Sequence, residues 1–221
     1  MSFMYQNSGR ILDENNKPVV NTPENVEALQ FYNDLVWKHH VAPSPVDYAN
    51  MGNPGPDQLF AQGIVAFEIT GFWNIASLNK VPELNWDIAP VWRNKEGATP
   101  IFGSGLAISK DCENPEAAFK IIEFMTSEEG QMPIVEKVQD APANLSVLKS
   151  DAFLKAVWSE KEINMNTFAQ SADAIFVPPL VPEWNEILKV FDDNLAGVFM
   201  NKRSVEDALE QIQAELEDLL S

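Results

Sequence analysis

The chain has 221 residues, 45% hydrophobic and 10% aromatic, enough apolar material for one large or two small packed domains. Its 33 acidic and 15 basic residues leave a formal net charge of −18. That excess excludes nucleic acid, whose phosphates demand a basic footprint, and electrostatic docking on anionic lipid; acidity of this kind mainly serves solubility. Cys112 is the lone cysteine, so no intrachain disulfide and no cysteine metal cluster can form. Asp111 and Glu113 flank it and raise rather than lower a thiol pKa, which marks it as incidental. No apolar run approaches the ~20 residues that span a bilayer. The opening residues after Met1 carry neither a basic region nor an apolar one, so the chain is expected to hold no export signal.

In chain order, Asp13, Asn15 and Glu24 faintly follow calcium-loop spacing, but Lys17 and Pro18 stand where a ligand and the turn glycine belong. A turn between two short strands is the better reading. Thr22, Pro23 and Glu24 form a helix start, followed by Val26, Leu29, Tyr32, Leu35 and Val36 at helical spacing. His39 and His40 end that helix and, being adjacent, point apart, so they make a poor metal pair. Prolines and glycines from Pro43 to Pro56 predict an irregular loop, and 57–63 a short helix closed by Gly63. Strands are predicted over 64–69, 86–92 and 101–108, with a turn at Asn94–Gly97.

Asn114, Pro115 and Glu116 cap a helix predicted through Ile121, Ile122 and Phe124 to Gly130. A second follows around 131–138, then an extended or turn segment at Ala141–Asn144 and a helix over 151–160. The prolines between Phe176 and Pro182 exclude helix interior there. Two helices, about 183–200 and 204–220, close the chain, the last opened by Ser204 and Asp207 in the manner of a capping box. Strand–helix–strand units ahead of a helical end point to α/β layers.

Several motifs occur in a telling order. They are Phe60–Ala66, then Thr70, Gly71, Phe72 and Trp73, Ala89-Pro90, Phe102–Ile108, Asn114–Ala118, Phe124–Gly130, Pro142–Asn144 and the helix from Ser204. The series resembles family 1 extracellular solute-binding proteins, the maltose-binding-protein group, from about residue 3 to the C-terminus. The resemblance implies an α/β, periplasmic-binding-protein-like type II fold, seen here as its C-terminal lobe plus part of the N-terminal lobe. Residues 1–104 would belong to the C-terminal lobe, 105–150 to the N-terminal lobe, and 151–221 would return as helices to the C-terminal lobe, with a crossover near Gly103–Gly105. It implies a substrate-binding component of an ABC importer, extracytoplasmic, holding a carbohydrate ligand between two lobes and docking on permease subunits. The export signal and any lipid-modified cysteine would lie upstream of this chain.

Trp73 lies just past the predicted strand 64–69, where open α/β sheets place ligands, and its flat face suits the C–H surface of a sugar ring. From the residues alone, a core anchor for the next helix explains Trp73 equally well; the resemblance implies the stacking role. Gly71 lets the backbone turn without blocking a cleft, and Phe72 should point into the lobe. Gly103, Ser104 and Gly105 lack the third glycine and the lysine of a phosphate loop, so they read as a crossover that lets backbone approach ligand, with Ser104 as a hydroxyl donor. Relatives often carry an aromatic near Ser104, and its absence there leaves one stacking platform in doubt. The resemblance adds Asn144, a neutral donor and acceptor, and Trp184 at the start of the penultimate helix. Trp37, Trp86, Trp92 and Trp158 are assigned to structure or surface.

No cofactor or metal is expected. An enzyme acting on carbohydrate would need two carboxyls at defined separation; Glu68, beside the Gly71 turn, is the best single candidate, and no partner stands out. Neither a serine nor a cysteine nucleophile motif is present, so the chain reads as a binder, not an enzyme. Apolar helix residues Ile121, Ile122 and Phe124 are expected to promote self-association.

Overall fold

The computed structural model describes residues 1–137, 140–155 and 161–221. Trp158 and the end of the helix expected over 151–160 lie outside the described residues. In chain order the helices are α1 Ser2–Gln6, α2 Pro23–Trp37, α3 Pro45–Asn50, α4 Pro56–Ala61, α5 Ile75–Leu78, α6 Pro115–Thr126, α7 Glu128–Glu136, α8 Leu145–Leu148, α9 Asp151–Leu154, α10 Asn166–Ser171, α11 Trp184–Phe199 and α12 Val205–Leu219; the strands are β1 Thr99–Pro100 and β2 Ile175–Phe176. The chain divides into two units, one of Met1–Pro54, Ala89–Ile101 and Met165–Ser221, the other of Gly55–Ile88 and Phe102–Asn164. Residues 55–88 group with 102–164 in this division, whereas the resemblance implies lobe boundaries near 104 and 150.

The first unit is organised by α12. Val205, Ala208, Leu209, Ile212 and Leu216 recur at helical spacing and are wholly buried. They meet Ile187, Phe191, Leu195 and Val198 of α11, and the same core takes in Met4, Ile11, Val20 and Leu29. Ser204 starts α12 by accepting a hydrogen bond from the Asp207 amide at 3.0 Å, and Thr22 caps α2 in the same way through Asn25. Arg203 ties the two C-terminal helices together, donating to Asn194 Oδ1 at 2.9 Å and to the Asp207 carbonyl at 2.7 Å. β1 and β2 pair in parallel, and Tyr5 stacks on Phe176 with ring centroids 4.0 Å apart. The turn expected after Leu12 is present: Leu12 bridges Pro18, and Asp13 accepts from the amides of Asn15 and Lys17, both at 2.8 Å. Those bonds favour the charged carboxylate and hold the Asp13 pKa below its ordinary range.

Asn25 is a buried polar pin in this unit. Its side-chain amide donates to the carbonyls of Arg10 and Val20 at 2.8 and 2.9 Å. A Cβ on Gly9 would stand 1.9 Å from Asn25 Oδ1, so only glycine fits without moving the pin. Gly9→Ala is expected to lower stability by about 1–3 kcal/mol, the usual cost of overpacking, read from the midpoint of urea denaturation.

In the second unit Leu59, Phe72, Ile75, Leu78, Trp86, Val135 and Val147 are buried, and Phe72 stacks on Phe153 at 5.9 Å. The helix expected to run to Gly130 breaks at Ser127. Its hydroxyl donates to the Phe124 carbonyl at 2.6 Å and accepts from the Gly130 amide at 3.1 Å, so it ends α6 and starts α7. A Cβ on Gly130 would lie 2.0 Å from the Phe124 carbonyl oxygen, which makes glycine a condition of that corner.

Two local expectations need correction. The Pro43–Pro56 segment is not irregular throughout. Ser44 and Asp47 close a reciprocal capping box around Pro45, which starts α3, and Pro56 starts α4. The strands expected over 64–69, 86–92 and 101–108 do not form: among the described residues, ladder pairing is confined to β1 with β2 and the Leu12–Pro18 bridge, extended by the Ile101 amide donating to the Phe176 carbonyl at 3.1 Å. The physical reason is that apolar alternation describes one segment, whereas a strand requires a neighbour to accept and donate its backbone hydrogen bonds. Here Phe67, Ile69 and Phe102 stay exposed.

Candidate functional site

The site forms where the segment ending at Thr70 turns into a single 3-10 turn, Phe72–Asn74, and continues into α5. Phe72, Asn74, Ile75 and Leu78 face inward and anchor that turn. Trp73 points the other way and is 52% exposed. The anchoring role that the sequence left open for it is thus carried by its neighbours.

Trp73 lies back over Gly71. A Cβ on Gly71 would fall 2.2–2.7 Å from indole atoms Cζ3, Cη2 and Cε3. The Gly71 backbone has φ −127 and ψ −178, extended geometry open to any residue. Glycine is needed here to seat the ring, a different reason from the turn freedom inferred from sequence. Phe102 stands edge-on to the indole, centroids 6.1 Å apart at 75°, and is 65% exposed. Sequence reasoning passed over Phe102 while noting that an aromatic near Ser104 was lacking; its place directly before Gly103 was the available signal.

Gly103 and Gly105 have no atom within 4 Å of a built Cβ, so protein packing does not require glycine at either position. Ser104 is exposed beside them. Gly71, Trp73, Phe102, Gly103 and Ser104 all belong to the second unit.

Asn144 is also in that unit, but its side chain is engaged. Oδ1 accepts from the Ser146 amide at 3.0 Å and the Ser146 hydroxyl at 2.7 Å, and Nδ2 donates to the Thr126 carbonyl at 3.1 Å. It caps α8 and ties it to the end of α6. Trp184 opens α11 in the first unit and packs, half-buried, against that unit's core.

Next to Trp73 in the chain, Asn74 Nδ2 donates to both oxygens of Glu68 at 3.3 and 3.2 Å. Burial and the negative charge of Asp57 push the Glu68 pKa up, opposed by the Asn74 hydrogen bond.

Trp73 and Phe102 thus stand as exposed aromatic side chains beside bare glycine backbone. The chain belongs to the family of bacterial extracellular solute-binding proteins, whose pattern matches residues 1–164. In fold it is similar to the ABC substrate-binding protein Lmo0181 from Listeria monocytogenes, solved with cycloalternan (29% identity, TM-score 0.89, 99% of this chain and 55% of that one). It is likewise similar to maltose-bound MalE3 of T. maritima (26% identity, TM-score 0.83, 99% and 56%). A curated binding protein of Brucella abortus (strain 2308) is 22% identical over 98% of this chain and 51% of its own length. The chain therefore spans about half the length of the relatives it matches. The fold is periplasmic-binding-protein-like, and the family and its solved members are binding proteins rather than enzymes. Among the described residues no helix is long and apolar enough to cross a membrane.

Proposed function

We propose that this chain supplies one wall of the sugar-binding cleft of an ABC importer's extracytoplasmic substrate-binding protein. The observation that carries the reading is Trp73, half-exposed on its Gly71 seat with Phe102 edge-on beside it. An indole face covers the C–H surface of a pyranose, while the Ser104 hydroxyl and the bare backbone of Gly103 and Gly105 serve ring hydroxyls. Solved relatives hold cycloalternan and maltose, which favours a glucose oligosaccharide as the ligand class. Residues 1–104 and 151–221 would act in the C-terminal lobe and 105–150 in the other, with permease subunits as the downstream partner. Asn144 and Trp184 would join ligand only after giving up part of their present packing or bonding.

Lobes that close around ligand share its binding energy, so one wall alone binds weakly. Equilibrium dialysis with labelled maltose should give a dissociation constant above 1 mM, weaker than about −4 kcal/mol, with the sugar recovered unchanged. Turnover at substoichiometric protein, or submillimolar binding by a monomeric chain, would contradict the reading.

A second consequence concerns α6. None of its residues is buried, and Phe119, Ile121 and Phe124 are more than half exposed. We expect these side chains to drive self-association against the −18 charge. Sedimentation should show oligomers that grow as salt screens the acidic repulsion, and Ile121→Lys with Phe124→Lys should return the chain to monomer.

A further inference from the structure

Glu68 and Asn74 bracket the turn that presents Trp73. Asn74 is the last residue of the 3-10 turn and is 6% exposed; its amide closes that turn on the Gly71 carbonyl at 3.0 Å. Its side-chain NH2 reaches back across the turn to both Glu68 oxygens. Gly71 and Trp73 lie between the two residues, so one side-chain contact fixes both ends of the peptide that seats the indole. We infer that Glu68, acting through Asn74, is a positioning residue for the Trp73 platform; this rests on Trp73 being the ligand platform proposed above.

The chemistry of the pair supports a role beyond packing. The carboxylate accepts from one nitrogen on both oxygens, an arrangement that needs an acceptor-only group. Glutamine would turn an NH2 toward the Asn74 NH2, and a protonated carboxyl would lose one acceptor. The charged form is also held at a cost, because burial and Asp57 on α4 both oppose it. A folded pKa above the unfolded one means the native state binds more protons in the window between them. That window opens at the ordinary glutamate value of about 4.3 and extends up to the raised value. Across it the Glu68 contribution to stability falls as pH rises. A carboxylate held charged against burial and Asp57 by its bonds from Asn74 fits a side chain that orients the turn.

The test uses indole N–H resonances of the 15N-labelled full chain between pH 5 and 8. The chain has six tryptophans, and the Trp73 signal is identified by its loss in Trp73→Phe. The Trp73 resonance should titrate with a midpoint above the ordinary glutamate value. Glu68→Gln should abolish that titration while the other indole signals stay in place, and Asp57→Asn should move the midpoint down. A Trp73 signal that does not titrate, or that titrates unchanged in Glu68→Gln, overturns the positioning role. Maltose added at pH 7.5 separates this from the underlying reading: a Trp73 signal that titrates through Glu68 but ignores sugar overturns the ligand site and leaves the Glu68–Asn74 link standing.

Discussion

Gly71→Ala is expected to expel the Trp73 indole from its seat and remove its response to sugar, while leaving the melting temperature almost unchanged. The new Cβ would sit 2.2 Å from Cζ3 of the ring, a distance no real contact tolerates, so one of the two must move. The ring is the part that can move, because it is half-exposed, whereas Phe72 and Ile75 hold the backbone of the turn in the core. Trp73→Ala should lose about 1–3 kcal/mol of sugar affinity, roughly five- to 150-fold, from the apolar contact it removes. Its effect on stability should stay within about 0.5 kcal/mol, the range for exposed positions. If Trp73→Ala unfolded the second unit, the indole would be a core anchor after all.

The largest stability effects should fall on α12. Leu209→Ala and Ile212→Ala each remove a fully buried side chain at the meeting of α11 and α12, and each should lower stability by about 2–5 kcal/mol. That is a large part of the roughly 5–15 kcal/mol available to an ordinary domain. The control is α6, also a helix rich in apolar residues, where Phe119→Ala and Ile121→Ala remove exposed atoms and should cost far less. Urea denaturation of the four variants decides the matter. Equal losses on α6 and α12, measured where the chain is monomeric, would show that the α6 residues are packed within the folded chain itself.

This contrast marks how far sequence reaches. The helices were legible because their causes are local: Thr22 with Pro23, Asn114 with Pro115 and Ser204 with Asp207 are caps readable as text. Local causes were also overlooked, since Ser44, Pro45 and Asp47 spell a capping box inside a segment dismissed as loop. The segments at 64–69 and 101–108 have strand composition, but composition names no partner, and among the described residues neither joins a ladder beyond the single Ile101 amide bond to Phe176. The periodicity of α6 told which side of the helix is apolar, not whether anything covers it.

The candidate site was legible in part for the same reason. Trp73 stood out by its place after a strand-like run, yet its orientation depended on Phe72 taking the inward position. Gly71 was recognised as special for a reason the backbone angles do not support; what it makes room for is a ring two residues on. Phe102 joins Trp73 only through a contact across 29 positions, which no local pattern encodes. Asn144 looked free as text, but in three dimensions its amide is spent on capping α8.

One measurement bears most directly on the central claim that Trp73 is a sugar platform. The indole N–H resonance of Trp73 is followed while maltose and longer glucose oligosaccharides are added at neutral pH up to tens of millimolar. The expected result is a saturable shift confined to Trp73 among the indole signals, weaker than millimolar, and absent in Gly71→Ala. A Trp73 signal that stays fixed while another tryptophan responds, or no response at any concentration, would contradict it.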